Sequence, residues 1–282
     1  MTLPSFVICG TQRGGTTTLH RYLSMHPEVY MPRAKEVHFF DLNYHKGLEW
    51  YRKFFVEARH GRYKAVGEAT PFYMYLEEVP ERIHNILPDV KLIFILRNPV
   101  DRAYSHYWHE VSKGREYLTF EEAIEKEAER LNSGSLFAKQ HYSYLDRGRY
   151  AVQLNRYRKF FSKDQMLVLI FEEFKKHPFH TLKILSNFIG VDPNYWDSIN
   201  IVKQHNIGRS PRNWTIHRLT VKTALKVGPT SPLGKAIRKS LKILNTKKGY
   251  PPMNPETRRR LQEKFKEYNE MLERQLGRRI PW

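Results

Sequence analysis

The 282-residue sequence has one cysteine, Cys9, and can therefore close no disulfide within the chain. Cys9 falls in the apolar run Phe6-Val7-Ile8-Cys9, where a thiol serves as a small buried hydrophobe, and nothing asks for an oxidising compartment. No apolar run approaches the roughly 18 residues that span a bilayer, and no apolar leader precedes the first strand; the expectation is a soluble, cytoplasmic protein. Acid is scarce too. Against 48 Lys and Arg stand 29 Asp and Glu, a formal net charge of +19. Between Ser198 and Pro255 there is no acidic residue, while twelve basic ones, from Lys203 to Lys248, fall inside. Such an excess favours acidic partners: nucleic acid, anionic lipid, a sulfated or carboxylated sugar, or a multiply charged cofactor. The sequence has no clustered metal ligands, so no metal is called for. It has no internal repeat, low-complexity tract or linker either, which makes one domain over residues 1–282 the simplest organisation.

At this length the chain can bury roughly three quarters of its extended surface. Apolar runs at Phe6 to Cys9, Lys64 to Val66, Val90 to Leu96 and Met166 to Phe171 read as strands. Helical patterns lie between them, including one from Thr119 and one from Tyr150 that carries Leu154, Tyr157 and Phe161 near helical spacing. Asn98-Pro99 and Asn254-Pro255-Glu256 read as helix starts. Leu261, Phe265, Tyr268, Leu272 and Leu276 then form an apolar stripe that stops at Gly277. Strands alternating with helices predict an α/β fold, a central parallel sheet flanked by helices, of the P-loop nucleotide-binding type. Ligands of such sheets collect at the carboxyl ends of the strands, where the Gly10 loop and Arg97 emerge.

The Gly10 loop is an anion site in outline. Gly10, Gly14 and Gly15 let backbone approach a ligand, and Thr16-Thr17-Thr18 open a helix whose free N–H groups point back at it. Gly10 and Gly15 keep the spacing of a triphosphate-binding loop, but Thr16 stands where its lysine belongs. That lysine neutralises the transferring phosphoryl group, so a different anion is expected, with Arg13 as the nearest cation. An isolated glycine turn can equally just connect a strand to a helix; a second motif has to decide.

Arg13-Gly14-Gly15-Thr16 resembles the 5′-phosphosulfate loop of sulfotransferases that use 3′-phosphoadenosine 5′-phosphosulfate (PAPS), with arginine in place of the usual lysine. The second motif, Arg97-Asn-Pro-Val-Asp-Arg-Ala-Tyr-Ser105-His-Tyr107, is similar to that family's 3′-phosphate-binding segment, with Arg97 and Ser105 at the two binding positions. A guanidinium fork plus a hydroxyl suits a phosphate on chemical grounds alone. A third stretch, Lys35-Glu-Val-His-Phe-Phe-Asp41, resembles a segment of the heparan sulfate 3-O-sulfotransferases whose glutamate is the catalytic base; that residue is Glu36, with His38 as its neighbour or substitute. Gly67 to Tyr73 matches a further family stretch, with Ala69 replacing its lysine. Lys247 to Pro252 is similar to the loop that closes over the cofactor, with Tyr250 where arginine is usual and free either to stack on adenine or to pack.

The resemblance implies transfer of a sulfuryl group from PAPS to a hydroxyl acceptor, a carbohydrate or glycoconjugate, leaving adenosine 3′,5′-bisphosphate. It implies Glu36, Arg13 and His38 as catalytic residues. For the cofactor it implies Arg13, Gly14, Gly15, Thr16, Thr17, Thr18, Arg97, Ser105, Lys248, Gly249 and Tyr250. Two rivals stay open: a P-loop kinase-like phosphotransferase, and a non-enzymatic basic protein that binds anions or nucleic acid, although no nucleic-acid partner is expected of a sulfotransferase. The basic segment 198–255 reads either as a helix that packs through Leu233, Ile237, Leu241 and Leu244 and presents Lys235, Arg238, Lys239 and Lys242 to solvent, or as a dock for an anionic acceptor or a membrane surface. Acceptor identity and oligomeric state are left open.

Overall fold

The apolar runs assemble into a parallel five-stranded sheet in a computed structural model, which describes residues 2–199, 208–228 and 231–282, less the side chains at 59, 60, 242 and 243. Lys203 and the Lys242 side chain thus lie outside the described residues. The strands are β1 (Phe6–Gly10), β2 (Val29–Tyr30), β3 (Ala65–Ala69), β4 (Lys91–Leu96) and β5 (Met166–Ile170), in the order β2-β3-β1-β4-β5. Every pairing among them is parallel. A separate antiparallel pair joins β6 (Arg209–Pro211) to β7 (Thr246–Lys248). Alternation along the central strands sends Val7, Cys9, Val66, Leu92, Phe94 and Leu96 to one face and Phe6, Ile8, Ala65, Ala69, Ile93 and Ile95 to the other. Continuous apolar runs are what a sheet buried on both faces requires. Each Val, Leu, Ile or Phe among them contributes about 1.5–3 kcal/mol when fully buried.

The helices are α1 (Thr16–Leu23), α2 (Gly47–Arg52), α3 (Val79–Ile86), α4 (Pro99–Ser112), α5 (Phe120–Glu125), α6 (Glu127–Asn132), α7 (Leu136–His141), α8 (Tyr150–Arg158), α9 (Phe171–Lys176), α10 (Pro178–Ile189), α11 (Trp214–Lys226), α12 (Pro232–Leu244) and α13 (Pro255–Leu276). They pack as two compact units interleaved along the chain. The first unit comprises Met1–Asn98, Tyr150–Lys203 and Tyr268–Trp282, and holds the five-stranded sheet. Leu19 and Leu23 of α1 and Leu182, Leu185 and Ile189 of α10 cover one of its faces. Tyr51 of α2, Val79 and Ile83 of α3, Leu154 and Tyr157 of α8, and Leu272 of α13 cover the other.

The second unit comprises Pro99–Arg149 and Gln204–Glu267. It is knit by buried polar anchors, chief among them Glu116, which accepts from Arg130 Nη1 at 2.6 Å and from the Tyr144 hydroxyl at 2.8 Å. Two expectations change here. The helix expected from Thr119 is broken at Lys126 into α5 and α6, since Glu127 turns inward to accept the amides of Leu145 at 2.7 Å and Asp146 at 2.8 Å. In α12, Leu241 is buried, but Leu233 and Leu244 are 60% and 75% exposed, so the four-residue packing face does not form. Arg238, expected on the solvated side, instead lies along Gly114, where an added Cβ would meet its Cγ at 3.0 Å.

Candidate active site

The loop after β1 is shaped by close backbone approach. Thr11 N–H donates to Ile95 O at 2.9 Å, and Gly14 N–H turns back to Thr11 O at 3.0 Å. A Cβ at Gly14 would lie 2.5 Å from Ile95 O, so only glycine fits there. Gly15, with φ of 102°, leads into α1, whose first turn carries no acid. With no competing carboxylate, the first amides of α1 and the positive end of its dipole suit an anion. Arg97 leaves the adjacent strand β4 and reaches the same loop. Its Nη1 donates to Arg13 O at 3.3 Å, its guanidinium lies 5.2 Å from the Phe171 ring centre, and its own carbonyl accepts from the Tyr150 hydroxyl at 2.7 Å.

Residues 35–41 form the second component, on the side of β3. His38 Nδ1 sits 2.7 Å from Asp41 Oδ2, and His38 Nε2 sits 3.3 Å from Glu36 Oε2. Lys35 Nζ is 2.9 Å from the other oxygen of Glu36. The Asp41 side chain is fully buried, that of His38 is 19% exposed and that of Glu36 is 42% exposed, so the row runs from core to solvent. Burial pushes Glu36 up, but His38 and Lys35 outweigh it and hold the carboxyl at about 2. Burial would depress His38, yet Asp41 and Glu36 raise it to about 9. At neutral pH Glu36 therefore rests as carboxylate and His38 as imidazolium. Among the described residues, the non-glycine positions with positive φ are Arg13 at 69°, Glu36 at 65° and His38 at 55°. Such backbone costs on the order of 1–3 kcal/mol per residue and concentrates at functional sites.

Below this loop lies a buried carboxylate. Glu68 shares the β3 face with Val66 and accepts from the hydroxyls of Tyr51 at 2.6 Å, Thr70 at 2.9 Å and Tyr73 at 3.1 Å. Burial raises it to about 7, the three hydroxyls opposing. Tyr73 in turn accepts the amides of Phe39 at 2.8 Å and Phe40 at 3.3 Å, and Thr70 Oγ1 accepts that of His38 at 3.4 Å.

The structure thus brings Arg97 onto the Arg13 loop and His38 onto Glu36. The remaining expected residues belong to the second unit. Ser105 is buried on α4, Lys248 is exposed at the end of β7, and Gly249, with φ of 80°, donates its N–H to Gly208 O at 2.7 Å. The Tyr250 ring stacks on Trp108 at 5.4 Å with an interplanar angle of 7°, so packing occupies one of its faces. Sequence reasoning missed Asp41, Glu68, Thr70, Tyr73 and Phe171. A signal existed for two of them: Asp41 stands three residues after His38, and Glu68 interrupts an otherwise apolar strand.

A glycine turn whose following helix start suits an anion and a strained loop that carries an ordered carboxylate–histidine row are the two parts of the candidate site. The family model described as "Sulfotransferase domain" matches residues 3–272. The chain belongs to the sulfotransferase family. Among its relatives, bifunctional heparan sulfate N-deacetylase/N-sulfotransferase 4 of Mus musculus is 31% identical over 98% of the chain, a match that spans 30% of that relative's own length. Heparan sulfate glucosamine 3-O-sulfotransferase 3A1 of Mus musculus is 34% identical over 67% of the chain and 46% of its own length. The crystal structure of a sulfotransferase from Alicyclobacillus acidocaldarius superposes with a TM-score of 0.73 at 28% identity, covering 99% of this chain and 98% of that one. The α/β fold with a central parallel sheet is therefore the fold of a sulfotransferase.

Proposed function

We propose that the chain transfers a sulfuryl group from PAPS to a hydroxyl of a carbohydrate acceptor, with Glu36 taking the proton. The observation that carries this reading is the row Asp41–His38–Glu36, which ends at solvent in a carboxylate held ionised. Family membership and the two heparan sulfate relatives support the reaction class and the sugar acceptor. When bound, PAPS supplies an activated sulfuryl group: a bond from sulfur to the acceptor oxygen forms as the bond from sulfur to the 5′-phosphate oxygen breaks. The amides of Gly15, Thr16 and Thr17 with Arg13 would hold the 5′ end and stabilise charge on the departing oxygen, Arg97 would bind the 3′-phosphate, and Gly14 and Thr18 spend their N–H groups inside the turn, on Thr11 O at 3.0 Å and Gly15 O at 2.9 Å. A carboxylate held at about 2 is a weak base. By analogy with phosphoryl transfer, a loose transition state leaves the hydroxyl proton in place until the new bond to sulfur acidifies it, and a weak base then suffices. Asp41 fixes the His38 imidazolium, which keeps the Glu36 oxygen aimed outward.

The test is Glu36→Gln, assayed with labelled PAPS and a panel of desulfated heparan oligosaccharides. Turnover should fall by roughly a hundredfold or more, as general-base losses run about 10²–10⁴, with adenosine 3′,5′-bisphosphate affinity nearly unchanged. Near-normal turnover removes Glu36 from the role. Transfer only to the free amine of glucosamine would move the acceptor atom from oxygen to nitrogen.

A further inference from the structure

Glu68 touches neither loop amides nor solvent, yet both hydroxyls that hold the loop are set by it. Its three hydroxyl donors, Tyr51, Thr70 and Tyr73, each spend their single proton on the carboxylate. The Thr70 and Tyr73 oxygens are thereby left with lone pairs only. Those lone pairs take three consecutive amides, His38, Phe39 and Phe40, in the segment where Glu36 and His38 have left-handed backbone. We infer that Glu68 is a positioning residue: through Thr70 and Tyr73 it orients the 36–40 backbone and so the His38–Glu36 pair. The inference rests on the reading of Glu36 as the base, and its test is arranged to separate the two.

The groups facing Glu68 are Tyr51 from α2, Cys9 from β1, Thr70 and Tyr73 from the segment after β3, and Asp41 from the loop itself. All but Asp41 are neutral donors or a buried thiol. Above a pH of about 7, where Glu68 is ionised, a carboxylate that accepts from three hydroxyls is replaced poorly by an amide. Glu68→Gln keeps shape but turns one acceptor oxygen into an N–H₂ donor. The hydroxyl meeting that group must swing its proton away, and toward the loop it finds an amide N–H, which cannot accept. One loop tether is then lost. Tyr73→Phe removes two of the three tethers directly. Tyr51→Phe is the control, since Tyr51 touches Glu68 as closely as any partner but holds no loop amide, and its ring stacking on Phe39 at 4.4 Å survives in phenylalanine.

Three readouts are compared on the full chain: kcat, affinity for adenosine 3′,5′-bisphosphate, and the His38 imidazole titration followed by NMR. In Glu68→Gln and Tyr73→Phe, kcat should fall at least tenfold with nucleotide affinity within twofold of wild type. The His38 midpoint should drop from about 9 toward its ordinary 6.5, as the imidazole loses its alignment with Asp41. Tyr51→Phe should change each of these far less. Hydrogen exchange at the amides of 38–40 in wild type, expected to be slow, serves if Glu68→Gln does not fold. If Tyr51→Phe matches Tyr73→Phe in its effects, or if neither Glu68→Gln nor Tyr73→Phe moves the His38 titration, Glu68 is a core residue and nothing more. Should Glu36→Gln keep its turnover while the His38 titration still responds to Glu68, the base assignment fails and the positioning role stands.

Discussion

Arg97 shows how one side chain can serve a ligand and a fold at once. Its guanidinium holds the Arg13 carbonyl at 3.3 Å and stacks on Phe171, so the left-handed turn at Arg13 is pinned by the same group proposed to meet the 3′-phosphate. Arg97→Ala should therefore weaken adenosine 3′,5′-bisphosphate binding roughly ten- to a hundredfold, one charge-assisted bond contributing about 1.5–3 kcal/mol. Because the loop loosens too, a nucleotide without the 3′-phosphate should also bind the variant more weakly, though by a smaller factor. Titration calorimetry with both nucleotides checks this, and equal affinity of wild type and variant for the bisphosphate would rule out the contact. Arginine at a strand end was legible in the sequence. Its hold on Arg13, 84 residues away in the chain, was not.

At the scale of elements, local signals located four of the five sheet strands and several helix starts, but neither the two-residue β2 nor the β6–β7 pair. Pro99 opens α4, Asn254 Oδ1 accepts the Glu256 amide at 2.8 Å, and Leu154, Tyr157 and Phe161 are buried as their spacing requires. The break between α5 and α6 was missed because its cause, the burial of Glu127 against Leu145 and Asp146, lies outside the local pattern. The start of α5 carries a capping box: the Glu122 amide donates to Thr119 Oγ1 at 3.3 Å while the Thr119 amide donates to Glu122 Oε2 at 2.8 Å. Both halves were available in the sequence as Thr-x-x-Glu. Thr119→Ala should cost about 0.5–2 kcal/mol of stability, read as a lower urea midpoint with an unchanged slope. Thr119→Ser, which keeps the oxygen, should recover most of it. A midpoint unmoved in Thr119→Ala would mean that tertiary packing alone sets the start of α5.

For the whole molecule, the dominant fact is the formal net charge of +19. In the basic segment, Lys235 and Lys239 project into solvent from α12, whereas Arg238 packs along Gly114 and is unsuited to a charge-reversal test. Lys235→Glu with Lys239→Glu should raise the KM for an anionic sugar acceptor, and the two proteins should converge as salt rises and the Debye length falls from about 10 Å at 0.1 M toward 3 Å at 1 M. Affinity for adenosine 3′,5′-bisphosphate should stay the same. An unchanged KM at low salt would show that the acceptor does not sense this surface. Among the described residues, no helix is long and apolar enough to cross a membrane.

The sequence by itself located β1, β3, β4 and β5, the glycine turn after β1, the strand-end position of Arg97 and the nearness of Glu36 to His38. These depend on periodicity, on glycine's backbone freedom and on residue types a few positions apart, all of which act locally. Only the tertiary structure decided that Thr70 and Tyr73, both held by Glu68, accept the amides of 38–40, that Asp41 is the buried end of the His38 row, and that the apolar face expected of α12 stays partly in water. The physical reason is the same in each case. A hydrogen bond or a buried contact is fixed by distance in space, and parallel strands joined by long crossovers bring together residues whose separation along the chain carries no signal of their meeting.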